Sequence, residues 1–500
     1  MAQLLSCAIY ICRDLTAEKK LARNIYVAPH KNEFSASMSV LLLNDKKLTQ
    51  LPTVTNPQAM AKKFAANWRE VNGLEVTGCA IEKIFYRPEH SCTVLYRLFF
   101  RNGERKPLDH WVTGKVFPSN RAGKRYQEAV AANHENNGTA SIKQRSRQLE
   151  PVSFLSDLDM VVWAFPLDAK IVNLPAVISL EFVQEKINAH LAAFGFSANW
   201  RCANVELERV KYMPGKRCVL RYHARFQGPA GDTRDLTFYS KTYQDAKSRY
   251  HFEVLNAAYQ QLRARNAIVQ IPRLIVHLDE ANTFWQEEWK GRPLIEVWET
   301  YDWNILFPRL AAAVVDLHCS EMQNLRRGPD LDEVLQVAVD DAVELFEMMP
   351  QLQPRLQPML DRLAEVKNDL AKQPRPNVPI HGAMRLEQML ARDHEFAMVD
   401  FDALALGDPL ADVAELTASL QFLELSQGKS RAPLAAVAEL FYQSYAANVP
   451  WAGDRRRLAW YALAYWISKM YLACKNLDLA ALAKLETAGI EIAEEWRKLI

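Results

Sequence analysis

The chain has 500 residues, enough for two to four domains and a sizeable buried core. Hydrophobic residues at 49% and charged residues at 24% are the proportions of an ordinary globular protein, not of a disordered or bilayer-embedded one. A net charge of +2 gives no electrostatic case for a nucleic-acid or anionic-membrane partner.

Cys7, Cys12, Cys79, Cys92, Cys202, Cys218, Cys319 and Cys474 are scattered, with no C-x-x-C. This predicts reduced thiols in a cytoplasmic protein rather than a disulfide scaffold or a zinc site. The apolar run near the start of the chain, from Leu4 to Cys12, is too short to span a bilayer and has no basic residues before it, so it reads as a core strand.

Asn56 to Trp68 reads as a helix with Asn56 as cap and Pro57 at its first position. Strands are predicted at Ala80–Tyr86, Cys92–Phe100 and Trp111–Phe117, with a turn at Arg87-Pro88 and a helix from Arg121 to Ala132. The same unit recurs 126 residues on. Tyr86, Pro88, Cys92, Tyr96, Phe100 and Lys115 fall opposite Tyr212, Pro214, Cys218, Tyr222, Phe226 and Lys241 without a gap. Upstream, Asp45 to Pro52 resembles Asp168 to Pro175 at an offset of 123. We read an internal duplication that yields two tandem β-rich lobes. Between them the polar stretch from Asn133 to Glu150 reads as a linker.

In the second copy, strands are expected at Val205–Tyr212, Val219–Phe226 and Phe238–Tyr243, followed by an amphipathic helix from Ser248 to Ala264. The turn Met213 to Arg217 contains Gly215 and Lys216, and its backbone N–H groups suit an anion, although an ordinary hairpin carries the same Pro-Gly signal. Leu310 to Leu317 is helical, with His318 as a packing or capping residue at its end. Residues 331–371 have helical periodicity. The aromatic segment Asp454 to Cys474 reads as a buried helix, with a substrate wall as the alternative.

The most informative stretch runs from Pro379 to Leu416. Two short apolar strands, ending near Met389-Leu390 and at Phe396 to Asp402, bring Gln388, Asp400 and Asp402 to one end, which suits a divalent cation held by oxygen ligands. Asp408-Pro409 then opens a helix, Asp408 being its N-cap. His381-Gly382, Asp400-Phe401-Asp402 and Gly407-Asp408-Pro409 with Asp412 stand in the order and spacing of the catalytic and metal loops of the aminoglycoside phosphotransferase and choline-kinase-like superfamily. The chain resembles that superfamily. Gln388, where most members have Asn, is similar to the maltokinase branch, whose extra N-terminal cap the first β-rich lobe also resembles.

The resemblance implies an α+β, bilobal, protein-kinase-like fold with a duplicated N-terminal β-rich lobe and a mainly helical C-terminal lobe. It implies ATP or another nucleoside triphosphate with Mg²⁺ as cofactors, and a small hydroxylated substrate. Lys241 would bind the α- and β-phosphates with Glu253 as its ion-pair partner, and Gly215 and Lys216 would turn over them. The segment Phe284 to Leu294 resembles the inter-lobe connector, so Glu287, Glu288 and Trp289 would meet the adenine. Gln388, Asp400 and Asp402 would hold the metal, and His381 would support the loop. One position departs from the pattern: Ala383 stands where the catalytic Asp belongs. Without that carboxylate, phosphotransfer should fall by roughly 10²–10⁴. Three accounts of Ala383 stand side by side: a nucleotide-binding pseudokinase with a protein partner on its N-terminal repeat, an enzyme with Glu387 as substitute base, or an engineered inactive form. The expected boundaries are 1–132 for the first lobe, 133–165 for the linker, 166–288 for the working N-lobe and 289–500 for the helical lobe.

Overall fold

A computed structural model describes residues 45–68, 75–101, 107–136, 149–393 and 395–500. The expected strand near the start of the chain, Cys7 and Cys12, and residues 137–148 of the expected linker lie outside the described residues. Helix α1 (Pro57–Asn67) has the predicted cap, with the Asn56 side chain accepting from the Ala59 N–H. Strands β1 (Glu75–Arg87), β2 (Ser91–Arg101) and β3 (Pro107–Val116) form an antiparallel meander, followed by α2 (Ala122–Asn136) and strands β4 (Val152–Leu155) and β5 (Met160–Ala164). β5 pairs with β3, so the sheet order is β1-β2-β3-β5-β4. Residues 152–164, drawn as linker from their sequence, complete this sheet. Their runs of buried Val, Leu, Met and Trp are short enough to be missed beside the polar stretch that precedes them.

The second unit begins with α3 (Leu180–Ala189), then β6 (Arg201–Met213), β7 (Arg217–Gln227), β8 (Thr233–Tyr243), α4 (Lys247–Ala264), β9 (Leu274–Leu278) and β10 (Thr283–Glu287). Its order is β6-β7-β8-β10-β9, strand for strand that of the first sheet. Register matches too: Tyr86 faces Cys92 as Tyr212 faces Cys218, and Lys115 faces Thr93 as Lys241 faces Val219. One carboxylate clamps each unit. Asp45 accepts from the N–H groups of Lys47, Leu48 and Glu89 and from the Tyr86 hydroxyl. Asp168 accepts from those of Lys170, Ile171 and Gly215 and from Tyr212. The Tyr96 hydroxyl donates to the Val54 carbonyl as Tyr222 does to that of Val177. The two sheets meet through Trp111, which stacks on Tyr212 at 6.1 Å under the Arg209 guanidinium.

Helices α5 (Trp303–His318), α6 (Leu331–Met348) and α7 (Gln353–Leu370) open the rest of the chain. Four short strands follow: β11 (Val378–Ile380), β12 (Met389–Arg392), β13 (Glu395–Met398) and β14 (Ala405–Gly407). Helices α8 (Pro409–Gln427), α9 (Arg431–Ala446), α10 (Arg455–Lys475) and α11 (Ile490–Arg497) close it. The helical periodicity over 331–371 resolves into α6 and α7, which part at Pro350. Trp460, Tyr461, Trp466, Met470 and Tyr471 of α10 are buried in the main core, as the packing reading expected. Among the described residues no helix is long and apolar enough to cross a membrane.

Candidate functional site

Cross-strand pairing in the second sheet sets one wall of the site. Arg217 lies opposite Tyr243, and Val219 opposite Lys241. Paired residues and residues two apart share a face, so these four side chains project together. The other wall is the β12–β13 hairpin and the turn after it. The Val399 N–H donates to the Gln388 carbonyl at 2.9 Å, closing the hairpin. Asp400 then adopts a left-handed conformation, with φ of 67°, so Asp400 and Asp402 lie in a turn beyond the strand and not within it as the sequence suggested. A non-glycine residue in this region of backbone space costs energy that the surrounding contacts must offset.

His381 supplies some of those contacts. It is fully buried, its Nε2 lies 3.1 Å from the Val399 carbonyl and its ring lies against Phe401. Burial lowers its pKa, with Asp412 acting in the opposite direction. Asp412, on α8, accepts the N–H groups of His381 at 2.6 Å and Gly382 at 2.8 Å, and lies 3.2 Å from His318 Nε2. Gly382 has φ of 74°, and a Cβ there would fall 2.6 Å from the Ala403 carbonyl oxygen, so glycine is required. Asp408 caps α8 through the Leu410 N–H. His381, Asp408 and Asp412 thus hold the loop, and His318 packs at a helix end.

Where the walls meet, charges interlock. Lys241 Nζ reaches Asp400 at 2.7 Å and Asp402 at 2.5 Å. Arg217 makes two bonds to Asp400, at 2.9 and 3.0 Å, and another to Asp402. The Tyr243 hydroxyl donates to Asp402 at 2.7 Å. Burial disfavours the charged form of Asp400, but Arg217, Lys241 and Lys211 outweigh it and hold the carboxyl well below the usual range. Asp402 has the same balance, burial against Lys241 and Arg217, and falls to about 2.

Two cavities adjoin this cluster. The first, of about 110 Å³, is lined by Val219, Tyr239, Phe284, Trp289, Leu390 and Phe401 among others, and ends at Lys241, Asp400 and Asp402. The second, of about 480 Å³, shares Arg217, His251, Gln388 and both aspartates with it and contains Ala383. Glu387 lines the first and not the second.

A family model described as "Phosphotransferase enzyme family" matches residues 230–485, from the β7–β8 loop to just before α11. The chain belongs to the phosphotransferase enzyme family. Solved structures are similar at low identity. A thermostable mutant of the aminoglycoside phosphotransferase APH(4)-Ia, in its apo form, is 15% identical with a TM-score of 0.43, covering 58% of this chain and 95% of that one. A choline kinase from Streptococcus pneumoniae is 12% identical with a TM-score of 0.41, covering 64% and 98%. No curated protein matches the chain in sequence.

Within this member of the phosphotransferase enzyme family the structure brings Lys241, Gln388, Asp400, Asp402, Glu387, Glu287 and Trp289 around the first cavity. It does not bring Glu253 there. Glu253 is exposed and lies 3.7 Å from Arg249, while His251 and Leu255 line the cavity. Two residues along a helix is a turn of about 200°, so when 251 and 255 face the cleft, 253 faces away. The Gly215 N–H donates to Asp168 at 2.7 Å and lines neither cavity, so this turn is braced from within rather than open toward phosphates. Lys216 lines the second cavity. The Glu288 side chain turns away onto Arg221 at 2.6 Å, and that of Glu287 meets Arg273. The Trp289 indole donates to Gln270, and its ring lies where a Gly291 side chain would start, 2.0 Å from the ideal Cβ. Arg217, Tyr243, His251 and Arg326 were missed. Tyr243, two residues on from Lys241, shares its face of β8, and the sheet pairing sets Arg217 opposite Tyr243.

The oxygens of Asp400, Asp402 and Gln388 are hard donors of the kind Mg²⁺ takes. Among the described residues no group of three or more His, Cys, Asp or Glu side chains is arranged for a metal, so a cation here needs the Gln388 amide as well. All four carboxylate oxygens accept from Lys241, Arg217 or Tyr243. The donor set fits a divalent cation that competes with Arg217.

Proposed function

We propose that the protein binds ATP, or another nucleoside triphosphate, with its base in the first cavity and its phosphates toward Lys241, and that its phosphotransfer is lost or strongly impaired. The apolar and aromatic lining supports a base, and Lys241 at its end supports the phosphates. Asp400, Asp402 and Gln388 would hold Mg²⁺, which would neutralise phosphate charge. The observation that carries the reading is the methyl group of Ala383 on the second cavity, where this family's pattern puts a carboxylate. The carboxylates lining that cavity are Asp245, Asp400 and Asp402; the last two are bound by Lys241 and Arg217, and Asp245 lies 3.7 Å from Lys247. Glu387 opens on the other cavity, which argues against it as substitute base. The reading is therefore a pseudokinase, cytoplasmic by its scattered cysteines, with the first β unit as its regulatory or scaffolding surface.

Thermal melts with ATP, with and without Mg²⁺, test the binding. A ligand at about 100 times its dissociation constant stabilises by roughly 2.7 kcal/mol, an easily measured shift. Ala383→Asp tests the lesion: ATP turnover should rise by about 10²-fold or more over a nearly silent parent. Absence of any nucleotide shift sinks the proposal, and rapid turnover by the unmodified protein sinks its pseudokinase part.

A further inference from the structure

The second cavity, at about 480 Å³, is in the size range of small-molecule sites. Segments far apart in sequence build its wall. The β6–β7 turn contributes Lys216 and Arg217, the start of α4 contributes Lys247, the loop after α5 contributes Arg326, and the loop bearing Ala383 contributes Arg385. Against these five cations stand Asp245, Asp400 and Asp402. Both aspartates of the turn are also engaged by Lys241, whose charge comes from the neighbouring cavity and adds to the cationic side.

Arg326 and Arg385 are held in position. The Arg326 guanidinium donates to the Asp402 carbonyl at 2.7 Å, and its backbone N–H donates to the Tyr250 hydroxyl at 3.1 Å. Arg385 lies 3.9 Å from Glu415, a carboxylate that Lys469 already holds at 2.8 Å, so one buried anion serves two cations. The 18-residue helix α4 begins at this cavity, where its first N–H, that of Lys247, donates to Asp245 at 3.1 Å. A wall of this sign around a concave space favours negative charge inside it.

Ala383 belongs to the same account. A carboxylate at this position would face the cationic wall and cancel part of it, whereas a methyl leaves both room and charge. We propose that the second cavity takes a small anionic molecule, one bearing a phosphate or carboxylate group, rather than a cationic or uncharged hydroxyl compound. This rests on the nucleotide reading only in counting the anion as a second ligand.

Calorimetric titration of the full chain with inorganic phosphate, glucose 6-phosphate and citrate tests it, with glucose and choline as uncharged and cationic counterparts, each with and without saturating ADP. At least one anion should bind, glucose and choline should not, and ADP should change the anion affinity by less than about threefold. Lys247→Ala and Arg326→Ala should each weaken the anion roughly tenfold, the usual loss of one charge-assisted bond, and Ala383→Asp at least as much. Lys247 is largely exposed, so its substitution leaves the unliganded melt unchanged and keeps the test clean. The proposal is overturned by no anion binding below about 10 mM, by binding indifferent to all three substitutions, or by displacement with ADP, which would assign these cations to the nucleotide's own phosphates. If nucleotides fail to bind while an anion binds and responds to the variants, the nucleotide reading falls and this one stands.

Discussion

In the first β unit Lys115 faces Thr93 across the β2–β3 ladder; in the second Lys241 faces Val219 across β7–β8. Strand order, register and the Asp–Tyr clamp are shared, and the lysines start from equivalent backbone positions. Their surroundings differ. Beside Lys241 stand Arg217 and Tyr243, and facing it are two carboxylates. The matching positions in the first unit are Ser91 and Phe117. Lys115 lies over the Phe117 ring at 5.2 Å, and burial, then Lys170, Arg87 and Arg125, lower its pKa. The sheet supplies a position for a lysine, and the loop after β13 decides whether that lysine has anything to hold.

The sharpest way to break this comparison is to truncate both lysines. Lys241→Met leaves two buried carboxylates with fewer counter-charges, and should cost about 3–5 kcal/mol in urea unfolding and about 100-fold in ATP affinity. Lys115→Met removes a charge that burial already disfavours, so stability should hold or rise and ATP affinity should not move. Equal losses in both variants would show that the two lysines do the same structural work.

Removing the clamps comes next. Asp45→Ala and Asp168→Ala each strand a tyrosine hydroxyl and three backbone N–H groups, and each should cost about 3 kcal/mol. Only Asp168→Ala should also weaken ATP, because its turn carries Arg217. Calorimetric melts beside ATP titrations separate the two effects.

These contrasts explain what was legible in the sequence. The likeness of the two β units was visible because Asp45, Tyr86 and Tyr96, with Asp168, Tyr212 and Tyr222, are the residues that make the matching hydrogen bonds. The convergence of Lys241 with Gln388, Asp400 and Asp402 followed from motif order. Glu253 did not, because a one-dimensional pattern sets the phase of a helix only within a residue or two, and a two-residue error reverses its face. Gly215 misled because a positive-φ turn looks alike whether its N–H meets a phosphate or Asp168. Arg217 is the residue that only the paired sheet reveals.

Acid should separate the units further. Asp402 has a folded pKa of about 2 against an ordinary 3.8. A depressed carboxyl contributes stability that is complete above the ordinary value and is lost as pH falls through the folded one. Its link to Lys241 and Arg217 should thus be lost between about pH 4 and pH 2, at a cost on the order of 2 kcal/mol. Asp402→Asn should flatten urea midpoints over that interval. An unchanged slope would mean that the cluster holds no acid-labile energy.

The smallest effect lies in the clamped turns themselves. Glu89 and Gly215 occupy equivalent positions with φ of 53° and 69°, and each donates its N–H to the clamping aspartate. Left-handed backbone favours glycine by about 1–2 kcal/mol over a side-chain-bearing residue. Glu89→Gly relieves that strain but gives up an exposed ion pair with Lys47, worth under about 1 kcal/mol. The net gain should be about 0.5 kcal/mol, and Gly215→Ala should lose about 1. Opposite signs in paired urea titrations are the expected result, since the same turn has been built with the favoured residue in one unit and against it in the other. If both substitutions destabilise, the Glu89 side chain contributes more to the first unit than its salt bridge accounts for, and the two turns are alike in backbone only.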